Sequence, residues 1–204
     1  MVPYEKLMRS LYGLQVKYTN MQRGEDSRLC GSIEPVNFTL GMVVMIDVTE
    51  AAGSNEALVL KLVRSMETGA LPESIKAWCT EGFVWANSGL ALINGQAEFF
   101  EQMARGGFAN QIPILNTMTH FSAELIHIAS KGNIVFTERV DHHWDEQGRD
   151  LMTPHICGVA EIQDGKISAF RDFYDVACYR QAPTEVQKGF DLVSFKEAQS
   201  NGTR

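Results

Sequence analysis

Arg139 and Asp141 stand two residues apart in Asn133–Trp144 (NIVFTERVDHHW), and Asp172 stands in Lys166–Tyr179 (KISAFRDFYDVACY). Both segments are rich in β-branched and aromatic residues and read as strands. Side chains alternate faces along a strand. Thr137, Arg139, Asp141 and His143 therefore share one face, and Phe136, Glu138, Val140 and His142 share the other. Arg139 and Asp141 point the same way, close enough to pair. In the second strand Phe170, Asp172 and Tyr174 share a face opposite Arg171, Phe173 and Asp175. Which faces point inward is open, because both faces of this strand carry aromatic and charged residues. Facing outward, the charges make surface ion pairs, which contribute little. Facing inward, one guanidinium can hold two carboxylates through its fork of donors. Two ionised aspartates and one arginine carry a net negative charge, so desolvation and repulsion favour one shared proton. A protonated and an ionised carboxyl side by side suit the hydrolysis of a strained, neutral electrophile. The base takes a proton from water and the acid gives one to the leaving oxygen.

Such a cluster needs elements to hold it. Ser54 is a candidate N-cap, and Ala57, Leu60, Leu62, Val63 and Met66 form a helical stripe that ends at Gly69. Pro72 opens a short helix through Trp78, and Gly82–Ala86 reads as a short strand. Asn94–Arg105 is a third helix, stopped by Gly106-Gly107. Four long strands follow: His120–Ala129, Asn133–Trp144, Leu151–Ile162 and Lys166–Tyr179, with a hairpin turn at Asp164-Gly165. Helices first and hairpin-linked strands after give an α+β architecture, a curved antiparallel sheet packed on helices around a pocket. Phe83, Trp85, Leu115, Phe136, Phe170 and Tyr174 are candidates for its apolar lining. This predicts a domain over 54–180, an N-terminal extension over 1–53 (a helix in Tyr4–Met21, a loop, a strand over Phe38–Val48) and a tail over 181–204.

The bulk numbers are those of an ordinary globular chain: 204 residues, 45% hydrophobic and 21% charged. A net charge of -7 and scattered basic residues argue against nucleic acid as a partner. No apolar run is long enough to span a membrane, and the start lacks the apolar core of a secretory signal, so the cytoplasm is the expected compartment. The four cysteines are widely spaced and read as reduced thiols, mostly buried. His142 and His143 are adjacent on a strand and point to opposite faces, which argues against chelation of one metal ion. His143 shares the face of Asp141 but lies near the strand end, where solvation is expected. His120 and His127 read as structural, and Glu138, which faces away from Arg139, as structural or interfacial. Thr153 and His155 could bring polarity near the pocket.

The segments VFTERVD (Val135–Asp141) and GVAEIQDGKISAFRDFYD (Gly158–Asp175), with FVWANSG before them, resemble limonene-1,2-epoxide hydrolases, a branch of the cone-shaped NTF2-like (SnoaL-like, cystatin-like) superfamily. The resemblance spans about Ser54 to Tyr179. It implies Asp172 as the base that activates water, Asp141 as the acid that protonates the epoxide oxygen, and Arg139 as the bridge between them. It also implies that Asn87 helps hold the water, with Trp85 standing where the family has a tyrosine. Indole donates one hydrogen bond and accepts none, so the water would be held differently. The implied reaction is the one-step opening of a lipophilic epoxide, cyclic or terpene, to a vicinal diol, with no metal and no organic cofactor, in a homodimer. The alternatives within the same cone are a SnoaL- or ketosteroid-isomerase-like cyclase or isomerase, which needs one base, and a non-catalytic small-molecule-binding protein.

Overall fold

The structure, a computed structural model, describes residues 45–180. Three α-helices pack on one face of a seven-stranded sheet. Helix α1 (Ser54–Glu67) buries Val59, Leu60, Leu62 and Val63, each stabilised by about 1.5–3 kcal/mol on leaving water. Its cap residue is Gly53 rather than Ser54. The end is held instead by the buried Glu56 carboxylate, which accepts from the Ala52 N–H (2.7 Å) and the Ser130 hydroxyl (2.7 Å). Helix α2 (Leu71–Trp78) and helix α3 (Gly95–Ala104) follow, with β1 (Cys79–Asn87) and β2 (Ile93–Asn94) between them.

The long strands are β3 (Met118–Lys131), β4 (Ile134–Asp145), β6 (His155–Gln163) and β7 (Lys166–Phe173), with a short β5 (Asp150–Met152) beside β4. The order across the sheet is β2-β1-β7-β6-β4-β3. All pairings are antiparallel except β1 with β7, so the sheet is mixed rather than wholly antiparallel. Asp164 (φ 51°) and Gly165 (φ 75°) make the two-residue turn from β6 to β7, as their left-handed tolerance predicts.

Three expected strands change. Leu151–Ile162 is broken at Thr153-Pro154, because proline offers no N–H to the ladder. Lys166–Tyr179 ends at Phe173, and the chain turns into a 3-10 turn at Val176–Tyr179. At the end of Phe38–Val48, residues 45–47 are irregular and Val48 opens a 3-10 turn; the rest of that segment, the Tyr4–Met21 helix and the tail lie outside the described residues. Of the described cysteines, Cys79 and Cys178 are buried and Cys157 is exposed. Among the described residues no helix is long and apolar enough to cross a membrane.

Candidate active site

Alternation along β4 turns Thr137, Arg139, Asp141 and His143 toward the helices, where all four are buried. On β7 the question left open by composition resolves the same way: Phe170 and Asp172 are buried, and Phe173 is exposed. Pairing then lines up four strands. Thr137 on β4 faces Gly158 on β6, Gly158 faces Asp172 on β7, and Asp172 faces Asn87 on β1. The carboxylates on β4 and β7 are separated by the whole width of β6, so their strands lie about 10 Å apart. Arg139 crosses that gap.

The guanidinium is 1% exposed and uses most of its donors. Nε donates to Asp141 Oδ1 (2.8 Å), and Nη2 donates to Asp141 Oδ2 (3.3 Å) and Asp172 Oδ2 (2.5 Å). Nη1 donates to Thr137 Oγ1 (3.2 Å). The arginine also lies against the Phe170 ring, 5.5 Å from its centroid. The crossing is possible because position 158 has no side chain. A Cβ there would lie 2.4 Å from Thr137 Oγ1, 2.6 Å from Arg139 Nη1 and 3.1 Å from Asp172 Oδ1.

The electrostatics follow from burial. Burial works against the Arg139 charge, but the two carboxylates beside it outweigh burial and push its pKa up. Burial raises the Asp172 carboxyl to about 6, against the pull of Arg139. Burial also raises Asp141, opposed by the same arginine. With one cation between two acids, the two carboxyls titrate as a coupled pair rather than as separate groups. Asp172 Oδ1 is buried and makes no hydrogen bond to a described residue.

Asp141 and Asp172 line a cavity of about 140 Å³, and Arg139 lies behind them rather than in the wall. Asn87, Trp85, Leu115 and Tyr174 also line it. Phe83 and Phe170 are instead core residues that pack edge-on to Trp85. Phe136 points to the outer face and is 45% exposed, which corrects its placement in the pocket. Trp85 stacks on Phe99 (5.5 Å between centroids, 11° between planes), and its buried Nε1 has no partner among the described residues.

His143 is buried in the cavity wall, not solvated, because β5 folds over the end of β4. Its Nδ1 lies 2.8 Å from the Met152 carbonyl oxygen. A carbonyl only accepts, so Nδ1 carries the proton and Nε2 keeps its lone pair. Burial lowers the His143 pKa to about 4, so the ring is neutral at pH 7. Its position two residues after Asp141 was the clue to its face; the expected strand Leu151–Ile162 included Met152, but nothing marked the break that lays its start over the end of β4. His155 turns outward to Glu138 Oε1 (2.8 Å), away from the cavity, and His127 meets Oε2 of the same glutamate (2.7 Å). Thr153 is buried with its hydroxyl unpartnered among the described residues.

Residues 54–182 match the model of the limonene-1,2-epoxide hydrolase catalytic domain. Among solved structures, an LEH-like epoxide hydrolase from M. tuberculosis is 19% identical, with a TM-score of 0.50 over 74% of this chain and 97% of that one. A SnoaL-like polyketide cyclase candidate from Jannaschia sp. CCS1 is 13% identical (TM-score 0.51, 63% and 90% covered). An NTF2-like protein of unknown function from Burkholderia pseudomallei K96243 is 14% identical (TM-score 0.50, 61% and 93% covered). These likenesses establish the NTF2-like α+β cone. With its family model matched over most of its length, the chain belongs to the limonene-1,2-epoxide hydrolase catalytic-domain family.

Proposed function

We propose that this protein adds water to a lipophilic epoxide in one step, giving a vicinal diol, without a metal, an organic cofactor or a covalent intermediate. The observation that carries this reading is a buried arginine that bonds two carboxylates lining one apolar cavity, with one carboxylate oxygen, Asp172 Oδ1, unpartnered among the described residues. A water beside Asp172 and Asn87 loses its proton to Asp172 as its oxygen bonds to an epoxide carbon. The carbon–oxygen bond of the ring breaks, and Asp141 gives its proton to that oxygen. The cluster ends with the same charge, its proton moved from Asp141 to Asp172, and Arg139 contacts both throughout. A SnoaL-like cyclase or a ketosteroid-isomerase-like proton shuttle needs one base, so the coupling of two carboxyls argues for epoxide opening. The apolar cavity wall favours a lipophilic, cyclic or terpene substrate.

A second assignment has its own support. Arg139 gives two N–H bonds to Asp141 and one to Asp172, which favours an ionised Asp141 in the resting site and exchanges the two roles. The test is diol formation on a panel of cyclic and terpene epoxides by wild type, Asp172→Asn and Asp141→Asn. Both variants should lose at least a thousandfold in rate, roughly the scale of losing an acid or a base. On epoxides whose oxygen leaves as a stabilised anion, the acid variant recovers and the base variant does not. Recovery by Asp141→Asn supports Asp172 as base, and recovery by Asp172→Asn reverses the roles. No diol from folded wild type across the panel would overturn the reading.

The compartment we propose is the cytoplasm, and the assembly a homodimer through the outer sheet face, where Phe136 and Phe173 are 45% and 52% exposed.

A further inference from the structure

Two tyrosines that the mechanism above does not use stand beside Asn87. Tyr174 follows the last residue of β7, and Tyr179 ends the 3-10 turn that folds back over it. Their rings meet edge to face, and their hydroxyl oxygens lie 2.6 Å apart. The Tyr179 hydroxyl also lies 2.5 Å from the Ser88 carbonyl oxygen. The Tyr174 hydroxyl lies 3.4 Å from the atom placed as Asn87 Oδ1. Backbone bonds hold this corner together: Ser88 N–H donates to the Asp172 carbonyl (3.0 Å), and Tyr174 N–H donates to Ser88 Oγ (3.1 Å). Burial raises both phenol pKa values, so both keep their protons.

The proton count gives this chain a direction. A carbonyl oxygen only accepts, so the one proton of Tyr179 is committed to Ser88. Two hydroxyl oxygens 2.6 Å apart need a proton between them, and only that of Tyr174 remains. Tyr174 then has nothing to give Asn87, so the Asn87 atom that meets it must be a donor. Amide oxygen and nitrogen are alike in shape, and the surrounding network decides between them. Nδ2 therefore faces Tyr174, and the amide oxygen is turned away from it, free to accept.

We propose that Tyr174 and Tyr179 are positioning residues, a one-way hydrogen-bond chain from Asn87 Nδ2 through both hydroxyls to the Ser88 carbonyl, which presents the Asn87 oxygen to the attacking water beside Asp172. The role of that oxygen rests on the epoxide-hydrolysis reading; the orientation of the amide does not. A water giving one proton to Asp172 needs an acceptor for its other hydrogen, and Asn87, opposite Asp172 in the β1–β7 register, supplies it.

The chain predicts an unusual pattern of variants. Tyr179→Phe removes the acceptor for the Tyr174 proton, which then goes to the Asn87 oxygen and turns the amide. We expect kcat to fall roughly 10- to 100-fold with KM within about twofold, the scale of one lost orienting contact. Tyr174→Phe removes the competing donor and leaves the amide free to keep its oxygen on the water, so the loss is about fivefold or less. Adding Tyr174→Phe to Tyr179→Phe should therefore restore rate. A double variant slower than Tyr179→Phe would overturn the chain. A second readout needs no turnover: the side-chain N–H signals of Asn87 in ¹⁵N-asparagine-labelled protein, assigned by their loss in Asn87→Leu. Solvent exchange of that group should quicken in Tyr179→Phe, and unchanged exchange would overturn the proposed orientation. Diol formation and amide exchange thus fail separately if one idea is wrong and the other right.

Discussion

Replacing Arg139 by methionine tests whether the cluster is as dry and as tightly coupled as its geometry implies. Methionine fills much of the space and supplies no charge. Asp141 then loses two hydrogen bonds, and Asp172 and Thr137 lose one each. Removing one partner of a buried ion pair costs about 3–5 kcal/mol, since the remaining charge is stranded. The cost should depend on pH in a defined direction. Folded Asp172 keeps its proton up to about pH 6, whereas the ordinary value is 3.8. Between those values the folded state binds more protons than the unfolded one, so stability falls as pH rises. Without Arg139 both carboxyls hold their protons to higher pH, and the loss extends above pH 6. Urea denaturation at pH 5 and pH 8 should thus show Arg139→Met losing about 3–5 kcal/mol at pH 8 and clearly less at pH 5. Asp172→Asn leaves one carboxyl to the one guanidinium, which balances it without any bound proton, so at pH 8 it should match or exceed wild-type stability. An Arg139→Met protein within about 1 kcal/mol of wild type at both pH values would mean that water reaches the cluster. Asp172→Asn costing as much as Arg139→Met would refute the excess of two carboxyls over one cation.

Three further expectations follow from the same geometry. Gly158→Ala pushes a methyl group into Thr137 and Arg139 and should cost about 1–3 kcal/mol in urea unfolding, whereas Gly82→Ala on β1, with no atom of the described residues within 4 Å of the added carbon, should stay within about 0.5 kcal/mol. The rate kcat/KM should fall as pH drops below about 6, when the cluster takes up its second proton, and His143→Leu should leave that limb in place, because His143 titrates near 4; a limb that vanishes in the variant would assign it to the histidine. Phe136→Asp on the outer face should shift sedimentation from dimer to monomer, and an unchanged sedimentation coefficient would remove this face as the interface.

Alternation was enough to place Arg139, Asp141 and His143 on one face of β4, because a strand has a period of two whatever surrounds it. It could not orient β7, where Phe170 and Phe173 differ in burial but not in chemistry. An apolar residue on an outer face looks the same in sequence as one in the core, which is why Phe136 misleads. The burial of His143 and the pairing of Tyr174 with Tyr179 depend on where the chain folds back after Asp145 and Phe173, and periodicity carries no information about such returns. The least legible residue is Gly158. A glycine inside a strand usually weakens it. Its value appears only when register sets it between Thr137 and Asp172, directly under a guanidinium crossing between strands. Each carboxylate reached alone by an arginine on its own strand would be an ordinary ion pair with an ordinary titration. The missing side chain on β6 is what lets one cation serve two strands, and sharing that cation makes the two acids unequal.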